Sequence, residues 1–398
     1  MGYLGGVTAS IFSIIFVAFM IATIGYLVGA IEIKGISLGT AGVLLVAIIY
    51  GIIVSKVPEF SMGDTTIVLF DDAIKSKFSM FSSIGTAMFV TAVGLIAGPK
   101  FFRNFNRSTM SYVYMGIIVI AIGSIITGTF ILLDDNLDPG MAVGIMTGGL
   151  TSTPGLSAAK EVAAGAEDLV TAGYGIAYLY GVLGVVFFVQ LMPRILKVDM
   201  DEERKKLVGV NAAQEKKITR QLKQVEPFGF LPFFMAIAIG CIIGAFKIPG
   251  INFSLGNSGG CLVAGLIVGH FGHIGGIDLR ISKGTLNFMR ELGLVFFLIG
   301  AGVPGGVNFV NSIRLSYFIY GIVITTVPMV IGYFLATKVF KIDLLNALGS
   351  ITGGMTSTPA LGALIATAET DEVAGAYAAT YPVALVCVVI MAKVLMML

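Results

Sequence analysis

Two copies of one tetrapeptide carry the chain's clearest chemical potential. Thr151-Ser152-Thr153-Pro154 returns as Thr356-Ser357-Thr358-Pro359, 205 positions on, and each copy lies inside an apolar run. Proline lacks an N–H and clashes with the preceding turn, so it ends a helix in progress yet suits the first position of a new one. Thr153 and Thr358, immediately before it, are natural N-caps for the helices that follow. The pairs Gly148-Gly149 and Gly353-Gly354 permit a sharp chain path and close approach of a ligand. The expected product is two helix N-termini whose N–H groups and positive dipole ends suit a carboxylate. Hydroxyls of Thr151, Ser152, Thr356 and Ser357, with the carbonyls that end the preceding arms, can hold a solute or a cation such as Na⁺. The candidate binding set is therefore Gly149, Thr151, Ser152, Thr153, Pro154, Gly354, Thr356, Ser357, Thr358 and Pro359.

What positions such residues follows from composition. The 398 residues are 56% hydrophobic and 12% charged, with mean hydropathy +0.95. Soluble domains carry roughly 25% charged residues. Apolar runs of about 20 residues recur, the length a helix needs to cross ~30 Å of hydrocarbon. A membrane β-barrel would alternate apolar and polar residues instead. The fold class expected is an all-α polytopic membrane protein. Fifty-two glycines and no tryptophan suit close helix packing in lipid. The first run, about 4–29, lacks a basic flank and a cleavage site and reads as a retained helix. A net charge of +2 gives no reason to expect nucleic acid. Cys241, Cys261 and Cys387 sit in apolar runs, so neither a disulfide framework nor a metal site is expected.

Apolar segments fall near 4–29, 38–55, 78–98, 112–133, 139–164 and 169–192, then near 228–246, 252–272, 289–309, 313–337, 343–368 and 372–397. The polar stretch 193–227 divides a first repeat (1–192) from a second (228–398). Residues 141–159 align with 346–364 without a gap. Gly85, Phe89 and Gly94 match Gly293, Phe297 and Gly302, and Tyr174 and Tyr178 match Tyr377 and Tyr381. Internal duplication of this kind marks many secondary transporters.

The stretch 193–227 holds nine Lys/Arg and six acids, and the loop 99–111 has Lys100, Arg103 and Arg107 without an acid. Both belong in the cytoplasm by the positive-inside rule. Loop 134–138, with Asp134, Asp135 and Asp138, belongs outside. These placements agree only if 139–164 enters and leaves on one face, with arms of about 12 residues, or ~18 Å. By the same reasoning 343–368 dips in from the cytoplasm. Each half then has five crossings and one re-entrant hairpin, the halves are inverted, and both termini lie outside.

No charged residue is expected at a segment centre, which disfavours a buried proton relay. Glu161, Glu167 and Glu372 read as solvated charges at arm ends, and Arg290 and Arg314 as segment ends. Lys393 reads as a residue that snorkels to the surface. His270 and His273 lie a turn apart but lack further metal ligands. Tyr174 and Tyr377 read as packing residues, while Tyr178 and Tyr381 join the candidate set as residues facing the cavity. Pro382 is expected to bend the last helix, and 201–223 to form a charged surface helix or linker.

The paired motifs GGLTSTPGLSAA and GGMTSTPALGAL, with GLIAGPKFF (94–102) and GAGVPGGVNF (300–309), resemble the aspartate:alanine exchanger family of bacterial membrane transporters. The resemblance covers both halves. It implies an antiporter of small carboxylates or amino acids in the bacterial inner membrane, with Thr151–Pro154 and Thr356–Pro359 lining the site. Members typically carry a large cytoplasmic domain between the halves, where this chain has about 35 residues, so regulation through that domain is not expected. The reading is elevator-type transport without enzymatic chemistry, on a dimeric scaffold (a homodimer). A Na⁺-coupled dicarboxylate or glutamate symporter is the alternative, and a non-transporting sensor or channel the alternative of another class.

Overall fold

The computed structural model describes residues 13–33, 36–37, 39–62, 65–101, 110–163, 165–207, 223–247, 255–312, 314–370 and 372–398. The start of the first apolar run, Arg103, Arg107, Asp371 and residues 208–222 of the polar stretch lie outside the described residues. Apart from short two-stranded hairpins, the described chain is helical. The first half contains α1 (Ile14–Gly29), α2 (Ala41–Lys56), α3 (Asp72–Phe101), α4 (Met110–Leu133), α5 (Pro139–Gly149), α6 (Thr153–Val162) and α7 (Glu167–Ile195). A short charged helix, α8 (Met200–Lys206), begins the polar stretch. The second half contains α9 (Phe230–Ala245), α10 (Gly256–Phe271), α11 (Lys283–Ser312), α12 (Leu315–Phe334), α13 (Leu344–Gly354), α14 (Thr358–Ala368) and α15 (Val373–Leu395). Six of the described helices are long and apolar enough to cross a membrane. Pro382 is buried within α15 without ending it.

Each Thr-Ser-Thr-Pro site breaks its segment into two half-length helices, α5 with α6 and α13 with α14. Eleven residues, the length of α5, rise about 16 Å, near half the hydrocarbon thickness. The two arms form a hairpin. A Cβ on Gly140 would lie 3.2 Å from Ala166 Cβ and 3.4 Å from Val170 Cγ2, so α5 and α7 start side by side. Farther on, Gly144 abuts the backbone of Val170, and Gly148 that of Tyr174. The two helices thus run in the same direction, and α6 must return to where α5 began. The second half repeats the pattern, with Gly349 against Val373 and Gly353 against Tyr377.

The hairpins approach from opposite ends of an antiparallel helix pair. The Tyr320 hydroxyl, in the second turn of α12, donates to Asp134 Oδ2 just past the end of α4 at 2.9 Å. At the other end, Gly332 of α12 meets Met115 and Val119 near the start of α4. Since α5 follows the end of α4 and α13 follows the end of α12, their tips point towards each other.

The helices sort into two bundles. α1–α3 pack with α9–α11, and α4–α7 with α12–α15. At the centre of the first bundle α3 crosses α11, where Gly85 faces the backbone of Gly293 and Phe297. Any Cβ at that crossing would collide with backbone, which accounts for the paired glycines seen in the repeat. The hairpins belong to the second bundle and face the first.

Candidate functional site

The two tips bind each other by reciprocal hydrogen bonds. The Thr151 hydroxyl donates to Met355 O at 2.8 Å, and the Thr356 hydroxyl to Leu150 O at 3.0 Å. Both threonines hold left-handed backbone, with φ of 54° and 51°. For a side chain with Cβ this costs roughly 1–2 kcal/mol, and a β-branched residue is an outlier there. A buried hydrogen bond contributes about 1 kcal/mol, so each tip's strain is roughly offset by its grip on the other. The carbonyl of Gly149, which ends α5, accepts from the Thr325 hydroxyl at 3.0 Å. Gly354, which ends α13, packs against Val119.

The expected caps shift by one residue. Ser152, not Thr153, occupies the cap position of α6, and its hydroxyl accepts from Gly155 N at 3.2 Å. Thr153 is the first helical residue, followed by Pro154. The left-handed turn at Thr151 carries the chain around one position earlier than the proline alone implies. Ser357 holds the matching position on α14 but makes no capping bond, and its buried hydroxyl has no partner among the described residues. Ser152→Ala should therefore destabilise the protein by about 1 kcal/mol, whereas Ser357→Ala should be close to neutral. Thermal unfolding of the two variants in detergent checks this, and equal losses would contradict the asymmetry.

Released from capping, Thr153 and Thr358 face tyrosines. Thr153 Oγ1 lies 3.1 Å from Tyr174 Oη, and Thr358 Oγ1 lies 3.3 Å from Tyr377 Oη. Tyr174 stacks on Tyr178 with ring centroids 4.9 Å apart, and Tyr377 on Tyr381 at 5.0 Å. Tyr174 and Tyr377 therefore do more than pack, as they orient the threonine hydroxyls on each α6/α14 N-terminus. Thr151, Thr153, Pro154, Thr356, Thr358, Tyr178 and Tyr381 all line one cavity of about 320 Å³. Gly149, Ser152, Gly354 and Ser357 shape or cap the tips behind it. Pro359 is the second helical residue of α14. The opposite wall comes from the first bundle, through Thr40, Leu44, Phe89, Val93, Leu294 and Leu298. The cavity thus lies between the bundles.

Two charged residues in that wall depart from the expectation of an uncharged interior. Arg290 and Glu291 both line the cavity. They pair with each other at 2.8 Å, and Glu291 also accepts from the Thr40 hydroxyl at 3.0 Å. Arg290 was read as a segment end because the apolar run begins at 289. The helix begins at Lys283, so Arg290 stands two turns inside it. The signal that finds it is the helical spacing of Arg290, Leu294 and Leu298 on one face.

Lys393 departs from its expected role, while Glu161 stays partly exposed at its arm end and gains a partner. Lys393 is 2% exposed and does not snorkel. Its ammonium meets Glu161 Oε2 at 2.8 Å, joining α15 to the outgoing arm of the first hairpin. Glu161 further accepts from the backbone N–H of Ser258 in the first turn of α10, across the bundle boundary. Nearby, Lys75 of α3 pairs with Asp168 of α7 at 2.7 Å, across the same boundary. No group of three or more His, Cys, Asp and Glu side chains among the described residues is arranged to hold a metal.

An all-α polytopic membrane protein with two opposed broken helices around a lined cavity is the class that fold and site define. Residues 17–194 and 232–397 match the family model described as the predicted permease membrane region of the aspartate–alanine exchanger type, and the chain belongs to that family. An uncharacterized transporter of Bacteroides fragilis is 24% identical, the match covering 96% of this chain and 97% of the relative. One from Desulfotalea psychrophila is 23% identical, covering 96% of each. A third, from Geobacter sulfurreducens, is 23% identical over 96% of this chain and 97% of its own length. The first alignment extends over 540 positions, so this relative carries internal sequence that the 398 residues here lack. The family match is interrupted between 194 and 232, a gap that takes in most of the polar stretch and the start of α9. The protein is a membrane transporter.

Proposed function

We propose that this permease exchanges small carboxylates or amino acids across the bacterial inner membrane, the hairpin bundle moving against the other bundle as an elevator. One observation carries the reading. Two half-helix N-termini, each presenting a threonine hydroxyl, converge with Arg290 on a single cavity between the bundles. Helix N-termini and a guanidinium all favour a carboxylate. A site on the bundle boundary becomes accessible from either side when one bundle slides, which is how a midplane site serves alternating access.

The opposed hairpins support two inverted repeats, each with five crossings and one re-entrant hairpin. In that arrangement the first hairpin enters from outside, the second from the cytoplasm, and both termini lie outside. Single cysteines placed at 134–138 should then react with a membrane-impermeant thiol reagent only from outside. Labelling from the cytoplasm alone would reverse this orientation. The bundle of α1–α3 and α9–α11 is the scaffold in this reading, and the element through which a homodimer would form.

The Na⁺-coupled symporter is the second reading. It needs oxygen ligands for the cation, and carbonyls at broken helices are the usual source. Here Leu150 O, Met355 O and Gly149 O each accept from one threonine hydroxyl, which leaves each a second lone pair for a cation. Proteoliposomes loaded with unlabelled L-aspartate, L-alanine or succinate should accumulate labelled substrate by counterflow with or without Na⁺. Uptake that requires Na⁺ and ignores internal substrate would overturn exchange. Thr153→Ala and Thr358→Ala should each raise the half-saturation concentration about three- to tenfold, the value of one hydrogen bond. Unchanged transport in both would remove the hairpin tips from the site.

A further inference from the structure

Among the described residues that line the cavity, Arg290 and Glu291 are the charged ones, and their charges cancel. Such a balance is not what a dianion needs. The two helix N-termini and the guanidinium attract carboxylate, while Glu291 disfavours an anion that brings no cationic group to offset it. We propose that Glu291 is the specificity residue of the site, accepting the ammonium of an amino acid and disfavouring the dicarboxylate that lacks it. This rests on the transport reading above and narrows its substrate class.

The geometry holds Glu291 ready for that task. One oxygen is fixed by Arg290 at 2.8 Å and the other by Thr40 at 3.0 Å. Thr40 immediately precedes α2, so an element outside α11 also orients the carboxylate. An ionised carboxylate has about four lone-pair sites, so two donors leave room for a third. The Glu291 side chain is 38% exposed, and it reaches the cavity alongside the hydroxyls of Thr153 and Thr358. An α-amino acid carries its ammonium nitrogen two bonds from its carboxylate carbon, so it can present both charges to the one cavity lined by the tips, Arg290 and Glu291. The competing account is that Glu291 only neutralises Arg290 within an apolar bundle. Neutralising a cation without touching substrate would affect all anions alike, whereas an ammonium partner acts only on ligands that carry an amine.

Paired ligands that differ by the amine separate the two accounts. L-Aspartate against succinate, and L-alanine against propionate, are titrated onto the purified full chain in detergent, with binding read by calorimetry. In the wild-type protein each amino acid should bind at least tenfold more tightly than its deaminated partner, the scale of one charge-assisted hydrogen bond. Glu291→Gln should weaken the amino acids about tenfold or more and strengthen succinate, so that the preference collapses or inverts. Wild-type binding of succinate equal to that of aspartate overturns the proposal, even if the variant does not fold. So does a Glu291→Gln protein in which all four ligands shift by the same factor. If the wild-type protein binds none of the four, the carboxylate reading of the site falls as well. If both carboxylates bind but without preference, only the role of Glu291 falls.

Discussion

Lys393→Ala is expected to destabilise the protein by about 2 kcal/mol, the scale of one charge-assisted hydrogen bond lost between a buried ammonium and a partly exposed carboxylate. The ammonium is nearly inaccessible and meets Glu161 at 2.8 Å. Its removal leaves Glu161, whose side chain is 21% exposed, to be compensated by the Ser258 N–H, the first turn of α10 and solvent. Solvent and that residual contact keep the effect below the range for broken, fully buried pairs. Gly256 packs so closely on Glu161 and Lys393 that a Cβ there would overlap both. The control is the double variant Glu161→Gln, Lys393→Met. It removes both charges at nearly constant volume and should recover most of the loss, because a buried pair often contributes little net stability over a neutral replacement. Thermal unfolding of the single and double variants in detergent checks the pattern. A Lys393→Ala protein within about 0.5 kcal/mol of wild type would mean that the site behaves like exposed surface. Equal losses in the single and double variants would mean that packing, not charge, holds the junction.

The pair also marks a limit on what sequence discloses. Glu161 and Lys393 lie 232 positions apart, and each stands near the end of its own apolar segment. A lysine there reaches the interface by default, and only the packing of α15 against α6 joins the two end charges and buries the lysine. Arg290 reads as a segment end for a related reason. Hydropathy marks where the chain becomes apolar, while a helix can begin several polar residues earlier, as α11 does at Lys283. Duplication, by contrast, was legible. Matching residues around 151–154 and 356–359 identified both breaks, and the breaks lie where proline and glycine chemistry places them. Charge asymmetry among loops pointed to segments that turn back, and the closeness of Gly140 to Ala166 agrees with that path for the first. The one-residue error in the caps has a clear origin. Thr151 and Thr356 occupy left-handed backbone that threonine ordinarily avoids, and they hold it because each hydroxyl reaches the opposite tip. No local pattern contains that contact. The same holds for Tyr174 and Tyr377, whose hydroxyls lie beside Thr153 and Thr358. Their spacing in sequence is compatible with packing alone.

Arg290→Gln should reduce transport about hundredfold, chiefly by raising the half-saturation concentration, the scale of losing two charge-assisted hydrogen bonds to a carboxylate. Arginine offers a planar fork that meets both carboxylate oxygens at once, and no deprotonation at working pH removes its charge. Lysine keeps the charge as a point without the fork. Arg290→Lys is therefore expected to fall between wild type and Gln. One complication is built into the site, because Arg290 is also the partner of Glu291. Its loss leaves an uncompensated acid facing the substrate carboxylate, and that repulsion alone would depress transport. The double variant Arg290→Gln, Glu291→Gln separates the two causes. If Arg290 contacts substrate, removing Glu291 restores only the part due to repulsion, and binding of propionate, which has a carboxylate and no amine, stays weak. If Arg290 serves only to neutralise Glu291, the double variant binds propionate as the wild type does. Counterflow for the amino acids and calorimetry for propionate distinguish these outcomes. A double variant with wild-type propionate affinity would take Arg290 out of the substrate site and leave the carboxylate to the two hairpin tips.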